Sequence, residues 1–274
     1  MSTYTVTHLE SGETFTLLPS SPIPSTTWAI HPPTWQRTRQ SPHSTNNSPT
    51  EELGFSHVFL KDESSRFGLP SFKIAGQAGP STEPYVSALA SLPAPPLSGL
   101  KDALAAQSAD HRQVAAATNG KAADLVLGST GVGSWMHAVT SHYALASPST
   151  KVITVEPDTA ASFKESIHRG DITPIKTGDT IMCGMNCGTT STIAWPVLRS
   201  GIHTAATVSD RESHESVEFL KTVGIDAGPC GAASIAALKK ICHAGLAGTE
   251  DERKEKLVVL FSTEGNRVYE IPEV

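Results

Sequence analysis

Apolar positions follow two regimes along the chain. From residue 123 onward they form short unbroken runs, LVLG, KVITVEP and LVVLFS, each ending in a polar or glycine-rich turn. Such runs predict strands buried on both faces, as in a parallel sheet covered by helices. Between them lie segments with one apolar helical face: WMHAVTSHYAL, the stretch Ala161 to Arg169, and PCGAASIAALKKICHAGL with its cations late. TIAWPVLRSG continues the alternation, and Ser213 is read as opening the helix ESVEFLKTVG, with Glu215 and Glu218 in its first turn. ADLVLG, GSTGVGS, WMHAVTSHYAL and KVITVEP make strand, turn, helix and strand, a βαβ unit whose crossover is expected to be right-handed. The predicted class is α/β, a parallel sheet flanked by helices.

Before residue 123 the pattern is weaker. Residues 1–18 alternate apolar and polar (TYTVTHL, then TFTLL), which predicts a peripheral hairpin around Ser11 and Gly12. From Pro19 to Thr50 the chain turns to Pro, Ser, Thr and Asn around Trp28 and Trp35, an irregular arm anchored by its tryptophans or a loose linker. The domains read as an irregular arm over 1–54 and an α/β body over 55–274. PYVSALASL suits a short helix before Pro93, Pro95 and Pro96, and LKDALAAQS is helix-like. QVAAATNG then ends in a polar turn.

Composition narrows the function classes. With 274 residues, 38% hydrophobic and 18% charged, the chain buries a sizeable core. A net charge of −6 gives no electrostatic footprint for nucleic acid. No apolar run is long enough to span a bilayer. MSTYTVTHLESGETF lacks the basic and apolar regions of a signal peptide, so a cytoplasmic location is the default expectation. Cys183, Cys187, Cys230 and Cys242 form no Cys-x-x-Cys pair, and no spaced His pair completes a zinc site. No metal is expected, and the cysteines read as reduced packing thiols.

Two stretches carry candidate chemistry. Phe59 to Gly76 reads FLKDESSRFGLPSFKIAG and brings Lys73 after Gly68 and Pro70 have fixed the backbone. A lysine there is a candidate to form a Schiff base with an aldehyde cofactor and then to act as an acid or base. Its local setting alone favours a solvated loop lysine, as most lysines are, and the rest of the chain shifts that balance. Downstream, Gly128, Gly131 and Gly133 stand among Ser129, Thr130 and Ser134 between a strand and a helix N-terminus. Free backbone N–H groups and the positive end of the helix dipole make that place an anion site. The spacing matches neither a Walker loop nor a Rossmann fingerprint. A plain strand-to-helix connection is the other reading. Glu156 is a site-lining acid or a strand-end cap, and His137 reads as a helix-face residue.

Together these residues resemble the pyridoxal-phosphate enzymes of fold type II, the tryptophan synthase β superfamily, and within it diaminopropionate ammonia-lyase and threonine-dehydratase-like enzymes. KDESSRFGLPSFK resembles the family's lysine segment, and LVLGSTGVGS its phosphate loop. ITVEP, TIMCGMNCGTTSTIAWPVLRSG and GPCGAASIAAL resemble successive large-domain segments, and LVVLFSTEGN the closing strand. The resemblance implies pyridoxal 5'-phosphate as cofactor, Lys73 as its covalent anchor, and Gly131, Val132, Gly133 and Ser134 as the phosphate site. It places Thr263 opposite the pyridine nitrogen, Asn186 near substrate, and Thr118, Asn119 and Gly120 on the substrate loop. A hydroxyl at the ring nitrogen favours β-elimination over transamination.

The chain departs from that pattern after Gly120. The family continues its substrate loop as Thr-(Asp or Asn)-Gly-Asn-His-Gly and then a small α/β domain. Here Lys121-Ala122-Ala123 leads at once into the next strand, and three residues cannot hold a parallel crossover. The small domain is therefore expected to be truncated, with a remnant around 74–123. Lys121 stands where the family has the Asn for the phenolic oxygen, and Asn119 where diaminopropionate ammonia-lyase has an Asp. The reduced lobe leaves apolar surface for the N-terminal arm or a second copy, in a homodimer, to cover.

Three readings of function follow. The first is an ammonia-lyase acting on a small amino acid, diaminopropionate or serine or threonine, to give a 2-keto acid and ammonia. The second is a catalytically inactive remnant of such an enzyme, on the strength of the Gly120–Lys121 junction. The third, a nucleotide-binding module, lacks a Walker lysine and an acid for ribose or Mg²⁺.

Overall fold

The structure, a computed structural model, describes residues 53–55, 57–62, 114 and 118–273, together with the strand backbones of 4–8, 14–17 and 35–38. Its strands are β1 (Tyr4–His8), β2 (Thr14–Leu17), β3 (Trp35–Thr38), β4 (His57–Asp62), β5 (Leu125–Ser129), β6 (Lys151–Pro157), β7 (Ile202–Val208) and β8 (Leu257–Ser262). Its helices, numbered over the described residues, are α1 (Ser134–Ala146), α2 (Ser162–Arg169), α3 (Trp195–Gly201), α4 (Asp210–Thr222), α5 (Pro229–His243) and α6 (Glu250–Lys254).

All eight strands join one sheet in the order β3-β2-β1-β4-β8-β5-β6-β7. β4, β8, β5, β6 and β7 run parallel, as the unbroken apolar runs predict. The last strand in sequence, β8, lies between β4 and β5. The N-terminal hairpin is present, with Tyr4 opposite Leu17, and it extends the sheet through the antiparallel pair β1 and β4. Residues 35–38, expected within an irregular arm, instead form the edge strand β3 against β2. The sequence Trp-Gln-Arg-Thr there, aromatic at one end and β-branched at the other, suits a pleated edge. The expected helices at PYVSALASL and LKDALAAQS lie outside the described residues.

Successive strand residues face opposite sides of the sheet, and along β4, β5, β6 and β8 nearly all of them are buried on both sides. On one side Val58, Leu60, Leu125, Leu127, Val258 and Leu260 pack with α4 and α5. On the other, Phe59, Val126, Val259 and Phe261 meet Trp135, Met136 and Val139 of α1, Phe163 of α2 and Leu198 of α3. Each fully buried side chain of this kind contributes roughly 1.5–3 kcal/mol. Trp135 stands edge-on to Phe261, centroids 5.5 Å apart, locking the helix after the glycine turn onto the central strand.

Two local expectations change. α4 begins at Asp210, not Ser213, because Ser209 accepts the Glu212 N–H while Glu212 accepts the Ser209 N–H, a capping box. Ser213 is instead buried in the helix and donates to the Pro229 carbonyl at 2.8 Å, tying α4 to the start of α5. β7, IHTAATV, is rich in β-branched residues and only part-buried, as an outer strand is, and was absent from the expected elements.

Candidate active site at the carboxyl edge of the sheet

Parallel strands deliver their carboxyl ends to one edge, where an α/β sheet binds its ligands. Here β5 ends in the glycine turn, β6 in Glu156-Pro157, and β8 in Ser262-Thr263. Gly133 is the N-cap of α1 with φ +99°, a left-handed backbone that favours glycine, and no side chain caps the helix. The first amides of α1 have no partner within the helix, so they and the helix dipole face the turn. Thr130 N–H donates to the Val155 carbonyl and His137 N–H to the Gly133 carbonyl, which fixes the turn at both ends.

An irregular strap over 171–194 closes on this turn. Ser191 N–H donates to the Val132 carbonyl at 2.8 Å. A Cβ on Gly131 would stand 3.1 Å from Cys187 Sγ and 3.3 Å from the Gly184 carbonyl oxygen. The strap is also held near its middle. Asp210 accepts from Thr180 Oγ1 and, at 3.0 Å, from the Ile181 N–H, while Arg267 donates to the Ile181 carbonyl. Arg267 also pairs with Glu264 at 3.0 Å, and Glu264 accepts the Cys230 N–H at 2.8 Å. One carboxylate thus joins the closing turn, the start of α5 and the strap. Sequence reasoning missed this, because Asp210, Cys230 and the Glu264–Arg267 pair are far apart in the chain.

Thr263 is buried just beyond β8, and its hydroxyl has no hydrogen-bond partner among the described residues. Gly131, Val132, Gly133, Ser134 and Thr263 therefore lie at the same edge of the sheet. Thr118, Asn119 and Gly120 do not join them. Their turn precedes β5, and Asp124 pairs with Leu257 at the opposite edge. The length of β5, about 16 Å at ~3.3 Å per residue, separates that turn from the glycine loop. Lys121 points to the Glu255 carbonyl at 2.9 Å, also at that far edge. Asn119 is left-handed at φ +52° and exposed. Lys73 lies outside the described residues. Asn186 sits on the strap, its amide donating to the Gly178 carbonyl.

The remaining candidates are structural. Cys230 is buried, and burial together with the neighbouring Glu264 pushes its thiol well above the usual range, which leaves it inert. Glu156 is fully buried and accepts the N–H groups of Phe163 (2.8 Å) and Lys164 (2.9 Å), so it caps α2. Burial pushes its carboxyl from 4.5 up to about 7, against those two hydrogen bonds and the Lys164 charge. The folded state therefore keeps this proton to higher pH than the unfolded chain. The stability contribution is fully present below about pH 4.5 and is lost as pH rises to about 7. In Glu156→Gln that slope should vanish. The stability gap between wild type and variant should shift toward the variant by up to about 3 kcal/mol from pH 5 to 8. Urea unfolding across that range reads it, and a constant gap counts against a raised carboxyl.

Comparison with known proteins gives the same picture. Residues 103–263 match the family described as pyridoxal-phosphate dependent enzymes. A biosynthetic L-threonine dehydratase of Corynebacterium glutamicum is 28% identical over 128 residues, 46% of this chain and 29% of that protein. The chain thus matches under a third of that relative's length. Among solved structures, threonine deaminase isoform 2 of Solanum lycopersicum superposes with a TM-score of 0.61 at 15% identity, covering 80% of this chain and 81% of that one. Diaminopropionate ammonia lyase of Escherichia coli superposes with a TM-score of 0.52 at 24% identity, covering 61% and 45%. These likenesses show the fold, that of the fold type II pyridoxal-phosphate enzymes.

The residues present suit the family's cofactor. An uncapped helix N-terminus behind a glycine turn can take a phosphate, and at the same edge the buried Thr263 hydroxyl, without a partner among the described residues, can take one more hydrogen bond. The chain is a member of the pyridoxal-phosphate dependent enzyme family.

Proposed function

We propose that the chain is a pyridoxal-phosphate lyase that removes the β-substituent of a small amino acid, of the diaminopropionate, serine or threonine kind. The buried, unpartnered hydroxyl of Thr263 carries this reading. When bound, the cofactor supplies a conjugated ring that takes up the electron pair left as the substrate Cα loses its proton. A threonine hydroxyl beside the ring nitrogen accepts or donates one hydrogen bond without holding that nitrogen protonated, as a carboxylate would. That setting favours loss of the β-substituent over transamination. Gly131, Val132, Gly133 and Ser134 orient the group through its phosphate. Lys73 would anchor the group and serve as the base that takes the substrate's Cα proton. The departing β-group takes the bonding pair, and hydrolysis of the released unsaturated amine gives one 2-keto acid and one ammonia.

A second reading, an inactive remnant, is favoured by the placement of Thr118–Gly120 at the opposite edge of the sheet. One assay separates the two. The full chain, reconstituted with pyridoxal phosphate, is given diaminopropionate, serine and threonine as both stereoisomers, and 2-keto acid and ammonia are measured. The lyase reading expects, from at least one substrate, one ammonia per 2-keto acid for serine or threonine, or two for diaminopropionate, whose β-substituent itself leaves as ammonia. Bound cofactor with neither product from any of them establishes the remnant.

A further inference from the structure

We propose that Thr190 is a phosphate-binding residue, the side chain that completes a cradle otherwise built from backbone. The proposal rests on the reading of the glycine turn as the phosphate site. Thr190 is 2% exposed, and its hydroxyl has no hydrogen-bond partner among the described residues. Buried hydroxyls are almost always satisfied, so an orphan calls for an explanation. Its place supplies one. The methyl of Thr190 lies 3.9 Å from where a Cβ on Gly133 would stand. The next residue, Ser191, is hydrogen-bonded to the Val132 carbonyl. The strap therefore sets Thr190 beside the N-cap of α1, where no side chain caps the helix.

Other orphans have other settings. Among the hydroxyls, Thr140 lies within α1, Thr154 within β6, Ser162 at the start of α2 and Ser262 at the end of β8 beside Gly231, while Trp135 Nε1 and Asn186 Oδ1 are an indole and an amide. Thr263 belongs to the ring-nitrogen position already described. The turn itself, GSTGVGS, holds no cation, so amides and hydroxyls are what it offers an anion. A hydroxyl donating to a phosphate oxygen is a charge-assisted bond, whose loss weakens binding by about tenfold or more.

The test compares the phosphorylated cofactor with pyridoxal, which lacks the phosphate, so that attachment through lysine cancels. Dissociation constants for both are read from quenching of tryptophan fluorescence in wild type, Thr190→Val and Thr190→Ser. Thr190→Val should weaken pyridoxal phosphate by about tenfold or more and leave pyridoxal unchanged, while Thr190→Ser stays near wild type. Removing an unsatisfied hydroxyl should also leave the cofactor-free melting temperature at or above that of wild type. A merely structural threonine would lower it. Should the valine variant not fold, Thr190→Ala takes its place in the same comparison. Equal losses for the two ligands, or none for either, overturn the proposal. Gly131→Asp, which puts a carboxylate into the turn, separates this failure from that of the wider reading. If it too binds pyridoxal phosphate normally, the turn is not the phosphate site. If it loses pyridoxal phosphate while Thr190→Val keeps it, only the role of Thr190 falls.

Discussion

Lys73→Ala, reconstituted with pyridoxal phosphate, should come off a desalting column without the visible absorption of the wild-type holoprotein. Borohydride should fix no cofactor to its chain. The expectation rests on chemistry, since only an amine can hold the cofactor's aldehyde covalently. It also separates two contributions. The glycine turn and Thr263 lie on the sheet and remain in the variant, so pyridoxal phosphate should still bind, more weakly and reversibly, in equilibrium dialysis. Turnover of any substrate should fall by at least a thousandfold, on the order of the loss of a general base, roughly 10²–10⁴, together with the loss of the covalent anchor.

Other lysines sharpen the test. Lys121 binds the Glu255 carbonyl at the far edge of the sheet, so Lys121→Ala should keep the visible band. Lys61 is the rival, fully buried near the end of β4 and in register with Phe261, two residues before Thr263. Peptide mapping of the borohydride-reduced wild type decides between them. The label should fall in the peptide that contains Lys73, and a label on Lys61 overturns the assignment.

The fold was largely legible because its strands are buried on both faces, and LVLGS, KVITVEP and LVVLFS declare that locally. The order of those strands was not. β8 pairs with β4 across some two hundred residues, and nothing local in LVVLFS says that it inserts beside His57–Asp62. The start of α4 was readable and misread. Ser209-Asp-Arg-Glu212 is a capping box, and Ser213 four residues later looks equally like a cap until its burial against Pro229 is seen. The glycine turn was legible because strand, glycine and helix succeed one another without a gap. The distance between Thr118–Gly120 and that turn was also open to reading. A turn before a strand and a turn after it must lie at opposite edges. A match to the family's substrate loop obscured this, since in that pattern a further crossover intervenes before the strand. Thr190 had no sequence signal at all, because its significance lies in an unmet hydrogen bond that only the packing of the strap creates.

Gly231→Val should be the most damaging substitution outside the turn, because it separates the two elements that set Thr263. Gly231 lies in the first turn of α5, where a Cβ would stand 2.4 Å from the Glu264 carbonyl oxygen and 2.6 Å from Ser262 Oγ. The nearer obstacle is backbone, which cannot rotate away. Replacing glycine in a helix ordinarily gains up to about 1 kcal/mol of propensity. Forcing a side chain into a packed contact costs about 1–3 kcal/mol, more where backbone must move, so the steric loss wins. The melting temperature should fall by roughly 5–10 °C at this chain length. Gly170→Ala is the control. Its φ of +77° carries strain, but a Cβ there meets nothing within 4 Å, so only the backbone cost of roughly 1–2 kcal/mol remains. Affinity supplies the second readout. The Glu264 carboxylate holds both the Cys230 N–H and Arg267, so displacing α5 shifts the closing turn and with it the Thr263 hydroxyl. Gly231→Val should therefore weaken both pyridoxal phosphate and pyridoxal, because it acts at the ring rather than at the phosphate. Gly170→Ala should weaken neither. If Gly231→Val folds with wild-type affinity for both ligands, the closing turn does not depend on its contact with α5, and the positioning of Thr263 must come from β8 alone.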